Sequence, residues 1–394
     1  MKNSSESFRL IAKTTAGLEQ VLADELLQLG AANIELMTRA VAFDGDQALM
    51  YKANYLLRTA LRVLKPIASF KAQNEQRLYD EIYKIQWHEL LQTDQTFAID
   101  AVVSGGRFTH SQFVAYKSKD AIADQFRDRF GIRPSVDTSA PDLRLNVHIF
   151  DDQVSLALDS SGDSLHKRGY RYVVDKAPIN EVLAAGLIQL AGWKADCHFM
   201  DSMCGSATLP IEAAMLAMKI PAGYFRDEFG FMKWKDFDSE LWSSIKREAD
   251  AAITDFDFEI IGSDRSAKAI DIAHQNLQKA HLHKDVKLFK QQMETIVPPV
   301  GGGLLLINPP YGERLEEEDI IALYANVGDS LKKNFKGWQA WIISSDFTAL
   351  KHVGLKPSKK HTVYNGSLEC KFARFDIFEG KHKDMKAKAS SGEK

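Results

Sequence analysis

FMDSMCGSATLP, residues 199–210, runs an apolar strand into an acid, turns at Gly205 and enters a helix-forming stretch, TLPIEAAMLAMK. Glycine lets the backbone come close to a ligand, and a helix N-terminus favours negative charge such as a carboxylate. A plain tight turn would read the same way, so these residues alone leave both open. Working outward, the helix INEVLAAGLIQLAGW precedes the stretch, and strand FEIIGSD, helix SAKAIDIAHQNLQKAH and strand VKLFKQ follow it. Strand GLLLINPP, helix DIIALYANVGDSLKKNF and strand QAWIISS continue the alternation. Strands and helices at this rhythm predict an α/β, doubly wound, mostly parallel sheet, whose ligands sit at the carboxyl ends of its strands.

The region before it is organised differently. FRLIAKTTAGLEQVLADELLQLG reads as strand, turn and helix, with Leu18, Val21, Leu22 and Leu26 on one face and Gly30 as the stop. AVAFDGDQALMYKANYLLRTALRVLKPIASF adds a strand, a helix and a strand. A second small α/β unit has strand TFAIDAVVSG, a helix near SKDAIADQFRDRFG and strands in LRLNVHIFDDQVSLALDSS. The polar, basic stretch GDSLHKRGYRYVVDKAP marks the boundary with the doubly wound part. The resulting division is 1–65, 66–160 and 161–380, with a lysine-rich tail, 381–394, expected to be disordered. Between Ala222 and Asp255 lies an aromatic-rich insertion, GYFRDEFGFMKWKDFDSELW, which would either line the substrate side of a pocket or join a core.

Bulk properties narrow the function classes. The 394 residues carry a net charge of −3, so a nucleic-acid contact must use a local basic patch. Three cysteines make no disulfide framework, which points to a reducing, cytoplasmic setting. No signal-peptide core and no apolar run near the ~20 residues of a membrane span is seen, so no membrane role is expected. His281 and His283 lack partners at metal-ligand spacing, and no metal is expected.

Two further strand ends repeat the pattern of the first. Asp264 closes IIGSD, where an acid can accept both hydroxyls of a ribose or cap the next helix. In NPPY, Asn308 follows four aliphatic residues, and Pro309 and Pro310 stiffen the corner. A rigid corner can aim the Asn308 and Pro309 carbonyls at one exocyclic amine, while Tyr311 offers a face for a flat base. A proline turn with a capping asparagine is the plainer alternative.

NPPY resembles the N/D-P-P-Y/F motif of amino-group methyltransferases that use S-adenosylmethionine, and DSMCGSAT resembles the same family's D-P-x-C-G-S-G-T loop. Together with NPPYGERL and LHKRGYR, the chain is most similar to THUMP-domain RNA methyltransferases, closest to the bacterial enzymes that methylate guanine N2 of 23S ribosomal RNA. The resemblance implies an N-terminal ferredoxin-like segment, a THUMP domain that grips RNA and a Rossmann-like catalytic domain. It implies Asn308, Pro309, Pro310 and Tyr311 as catalytic residues. Asp201 and Gly205 would bind the methionine part of the cofactor and Asp264 its ribose, with Cys204 also a cofactor-binding residue. Gln292 stands where the family has an acid for the adenine amine, and Pro178 and Asn180 fall in the lead-in helix that closes over the cofactor. Ser202 replaces the usual proline and Ala207 the usual glycine, a difficulty if the turn needs positive φ.

An aromatic amine is a weak nucleophile, so the protein must orient it rather than supply a strong base. The base must be flipped or already unpaired to reach such a corner, which explains a separate RNA-gripping module. Candidate grips are Lys167, Arg168 and Arg171 at the junction and Arg107, Lys117 and Lys119 in the second unit; each could equally be solvated surface. NPPY also suits an adenine-N6 methylase of DNA or RNA, or a tRNA guanine-N2 enzyme. An inactive RNA-binding protein is the reading from another class. Removal of residues 1–160 is expected to spare cofactor binding and abolish activity on RNA. The sequence assigns no oligomeric state.

Overall fold

The computed structural model describes residues 6–171, 178–310 and 317–377. In chain order the first elements are β1 (Phe8–Lys13), α1 (Glu19–Gln28), β2 (Ala32–Met37), β3 (Ala40–Gly45), α2 (Gln47–Leu56) and β4 (Arg62–Lys71). Then come α3 (Glu75–Tyr83), β5 (Phe97–Ser104), α4 (Ser111–Phe130), β6 (Leu143–Phe150), β7 (Gln153–Asp159), α5 (Glu181–Leu190), β8 (His198–Asp201) and α6 (Thr208–Ala217). The rest are α7 (Ser239–Ala251), β9 (Ile260–Asp264), α8 (Ala267–Lys279), β10 (Val286–Lys290), β11 (Gly303–Ile307), α9 (Glu317–Asn334), β12 (Gln339–Ser344), β13 (Lys359–Asn365) and β14 (Leu368–Asp376).

The chain forms two compact units. The first comprises Met1–Thr14, Leu22–Lys167 and Pro221–Ala251. Its seven strands form one sheet in the order β2-β3-β1-β4-β7-β6-β5, antiparallel except for the β5–β6 pair. β4 runs without a break across positions 65 and 66. Pro66 cannot donate to the ladder, and the register against β7 slips between Pro66 and Ala68.

The aromatic insertion belongs to this unit and is core. Phe229, Phe231, Trp234 and Trp242 are buried with Tyr51 and Tyr55 of α2. The Tyr51 ring stacks on Phe231 at 4.2 Å, and Trp242 meets Tyr55 edge-on at 5.3 Å. The Tyr55 hydroxyl donates to Asp250 Oδ1 at 2.6 Å.

The second unit comprises Thr15–Val21, Arg168–Ile220 and Ala252–Lys394. Its sheet order is β10-β9-β8-β11-β12-β14-β13. The strands from β10 to β12 are parallel, and β14 joins β12 antiparallel in a hairpin with β13. The expected parallel, doubly wound architecture is therefore what forms, with an antiparallel edge. Leu304–Ile307 are all buried because this central strand is covered on both faces. Leu18, from the N-terminal segment, is buried in this unit and lies against Gly186 of α5. Among the described residues no helix is long and apolar enough to cross a membrane.

Candidate cofactor and base site

β8, β9 and β10 step outward in one direction, whereas β11 and β12 step in the other, so the sheet reverses its winding between β8 and β11. Such a switch point opens a crevice at the strands' carboxyl ends. A cavity of about 390 Å³ lies there. It is lined by Asp201, Cys204 and Gly205 after β8, Asp264 at the end of β9, Gln292 after β10, and Asn308 and Pro310 after β11, with Pro178 ahead of α5. Eight residues expected from the sequence are thus brought to one hollow.

The turn after β8 is held by backbone donors. Cys204 N–H donates to Ser263 O at 2.9 Å, and Gly205 N–H donates to Asp264 Oδ2 at 3.0 Å. Gly205 has φ +52°, and Ala207, with φ +64°, needs the left-handed conformation too. The second oxygen of Asp264 accepts from Ser266 N–H at 2.9 Å. The side-chain cap of α8 is Ser266, whose hydroxyl accepts from Ala269 N–H at 3.3 Å. Asp264 therefore does not serve as that cap. Each of its oxygens holds one donor and retains a lone pair for a diol.

The acids and thiol of the turn are shifted by burial. Asp201 is 1% exposed, and desolvation, with the charge of Asp264, pushes its carboxyl up to about 8, although Met203 N–H donates to it at 3.0 Å. Burial, then the charges of Asp201 and Asp264, raises the Cys204 thiol well above its ordinary range. That thiol stays protonated and is no nucleophile at neutral pH.

At the third strand end, Asn308 lines the cavity and its Oδ1 is buried with no hydrogen-bond partner among the described residues. A buried acceptor left unpaired costs about 1–3 kcal/mol, which a ligand N–H would recover. Pro309 is buried and does not line the cavity. Tyr311 lies outside the described residues.

Three expected roles are corrected. Asn180 caps α5, its Oδ1 accepting from Val182 N–H at 2.9 Å and Leu183 N–H at 3.4 Å, and does not line the cavity. A polar residue directly before a helical run already carries that signal. Arg168 is not an RNA grip, because it is 2% exposed and pairs with Glu212 inside the protein, Nε to Oε1 at 3.3 Å. Arg171 is turned inward as well, its Nε donating to Glu181 Oε1 at 2.7 Å. The other candidates lie in the first unit. Arg107 and Lys167 are exposed, with Lys167 3.2 Å from Asp163. The Lys117 ammonium lies 4.9 Å over the Tyr79 ring, and Lys119 pairs with Asp120 at 2.8 Å. Ser202, which the sequence marked only as a replacement for proline in the loop, is a cavity residue whose buried hydroxyl has no partner among the described residues.

Comparison with known proteins is consistent with this geometry. An RlmL ferredoxin-like domain model matches residues 9–64, a THUMP domain model residues 72–159, and an RMKL-like methyltransferase domain model residues 168–374. A Synechocystis sp. protein named "Putative RNA methyltransferase slr0064" is 39% identical over 93% of this chain and 96% of its own length. The Ribosomal RNA large subunit methyltransferase K/L of Syntrophotalea carbinolica is 40% identical over 94% of this chain but only 54% of that protein, so the chain spans about half of it. The crystal structure of SMU.472, "a putative methyltransferase complexed with SAH", superposes with a TM-score of 0.86 at 30% identity, covering 95% of this chain and 100% of that one. The chain belongs to the RMKL-like, S-adenosylmethionine-dependent methyltransferases that carry a THUMP domain.

Proposed function

We propose that this chain methylates an exocyclic amino group of an RNA base, guanine N2 of large-subunit ribosomal RNA. The observation that carries the reading is the unpaired, buried Oδ1 of Asn308 beside a cavity that also presents Asp264. The donor site fits a nucleoside bearing an amino acid. Asp264 has a free lone pair on each oxygen for a ribose, and the Gly205 turn leaves room for close approach. Asp201, Cys204 and Gly205 would border the amino-acid end, and Gln292 and Pro178 would border the base.

S-adenosylmethionine supplies an activated methyl group when bound. The protein then has to place an amine in line with it. Asn308 Oδ1 accepts one amine N–H and turns the nitrogen lone pair away from the ring conjugation. Pro309 and Pro310 restrict the backbone behind it, so the acceptor does not drift. Positive charge growing on the nitrogen meets the amide dipole of Asn308. Orientation of this kind is worth up to roughly 7–11 kcal/mol. Tyr311 is proposed to stack on the target base, and Arg107, Lys117, Lys119 and Lys167 to hold RNA phosphates. The names of the relatives support ribosomal RNA as the substrate.

Asn308→Ala should lower turnover by roughly 100-fold or more while leaving SAH affinity within a few-fold, because the lost acceptor acts on the amine. Equal losses in both would remove Asn308 from the proposed role. Mass spectrometry of ribosomal RNA nucleosides from a deletion strain should show loss of one N2-methylguanosine. Loss of N6-methyladenosine would instead assign the adenine reading, and an unchanged nucleoside profile would refute both.

A further inference from the structure

The motif LHKRGYR, residues 165–171, looks basic in the sequence, yet two of its cations are spent inside the catalytic unit. Arg168 and the Tyr170 hydroxyl both meet Glu212, the latter donating at 3.0 Å. Glu212 lies on α6 one turn past Thr208 and is fully buried, so the pair fastens the motif to the helix that follows the cofactor turn. Arg171 goes further. Its Nε donates to Glu181 Oε1 at 2.7 Å at the first turn of α5, and its NH2 reaches Ile179 O at 3.4 Å. The same guanidinium donates to Thr208 Oγ1 at 3.1 Å and Ser206 Oγ at 3.4 Å. Ile179, Ser206 and Thr208 all line the cavity, from two different segments. The Arg171 side chain is 16% exposed and that of Glu181 6%, so these bonds are shielded from water.

We infer that Arg171 is a positioning residue for the methyl donor, tying the turn before α6 to the lead-in of α5 and so setting the width of the cavity between them. The inference rests on the proposed cofactor reading. Acceptors on two segments lie at different angles, a demand that a planar fork meets and an ammonium does not. A group that only stabilised the fold would not need to bridge two walls of the same hollow.

The test uses full-length protein and SAH in isothermal titration, with Arg171→Lys, Thr208→Val and the double variant. Arg171→Lys should weaken SAH by about tenfold, the value of a hydrogen bond to a charged group. The two substitutions should be non-additive in SAH affinity, since one removes the partner of the other. KM for S-adenosylmethionine should rise with little change in kcat, and affinity for a large-subunit RNA fragment should stay within twofold. A lower Tm with unchanged SAH affinity would mark Arg171 as structural and overturn the inference. So would a loss of RNA affinity alone, which would return it to an RNA grip. Wild type that took up no SAH would refute the cofactor reading itself, whereas unchanged affinity in a variant of a binding wild type would refute only the role of Arg171.

Discussion

Asp201 shows how one residue's environment sets a measurable property. Its folded carboxyl, pushed up to about 8 by burial and by Asp264, lies above the ordinary carboxylate value of 3.8 that it regains on unfolding. The folded state therefore keeps a proton that the unfolded chain has lost. The stabilising contribution is full below about pH 4 and is lost as pH climbs towards about 8. Across that window, ligand-free wild type should lose Tm with rising pH more steeply than Asp201→Asn. Parallel Tm curves would show that the carboxyl ionises normally. Ala207 illustrates a different balance. A left-handed alanine costs about 1–2 kcal/mol, yet its buried methyl contributes about 0.8 kcal/mol and it restricts the unfolded chain more than glycine. These terms nearly cancel, so alanine is tolerated at this left-handed position. The positions of Asp201, Asp264 and Asn308 were legible because each stands at the carboxyl end of a mainly apolar strand. The burial of Arg168 and the inward turn of Arg171 were not, because their partners, Glu212 and Glu181, lie 44 and 10 residues away.

At the scale of elements, helix packing imposes demands that periodicity does not reveal. α9 presents Gly328 to the segment ending at Val353, where an added Cβ would sit 1.8 Å from the Val353 carbonyl oxygen. The obstacle is backbone, so it cannot rotate aside. Gly328→Ala should therefore destabilise at the upper end of the about 1–3 kcal/mol that overpacking costs, outweighing alanine's better helix propensity of about 1 kcal/mol. Chemical denaturation should show this, while SAH affinity of the folded fraction stays unchanged; a gain in stability would mean that the helix is free to move. Most of the helices, though not α3 or α7, were readable from their apolar spacing, as in α8, where Ala269, Ile270, Ala273 and Leu277 are buried on one face. So was the alternation that predicts the parallel sheet. Which helix meets which loop depended on pairings distant in sequence.

For the whole molecule, each unit takes a segment from the other's part of the sequence: Thr15–Val21 joins the catalytic unit and Pro221–Ala251 the other. The simple expectation that residues 161–394 would bind cofactor alone changes as a result. Such a fragment would carry Phe229, Phe231 and Trp242 without Tyr51 and Tyr55, the rings they pack on, and would lack Leu18. It should elute as aggregate in size-exclusion chromatography and bind SAH poorly; a monomer with wild-type affinity would show that the aromatic segment can be satisfied elsewhere. By itself the sequence determined the alternation of strands and helices and the polar residues at three strand ends, because hydrophobic periodicity and turn chemistry are local. Only the tertiary structure decided that those ends share one cavity, that Arg168 and Arg171 turn inward to Glu212 and Glu181, and that the aromatic insertion completes a distant core. Each of these depends on which surfaces find one another when apolar area leaves water, and that choice is made between segments far apart along the chain.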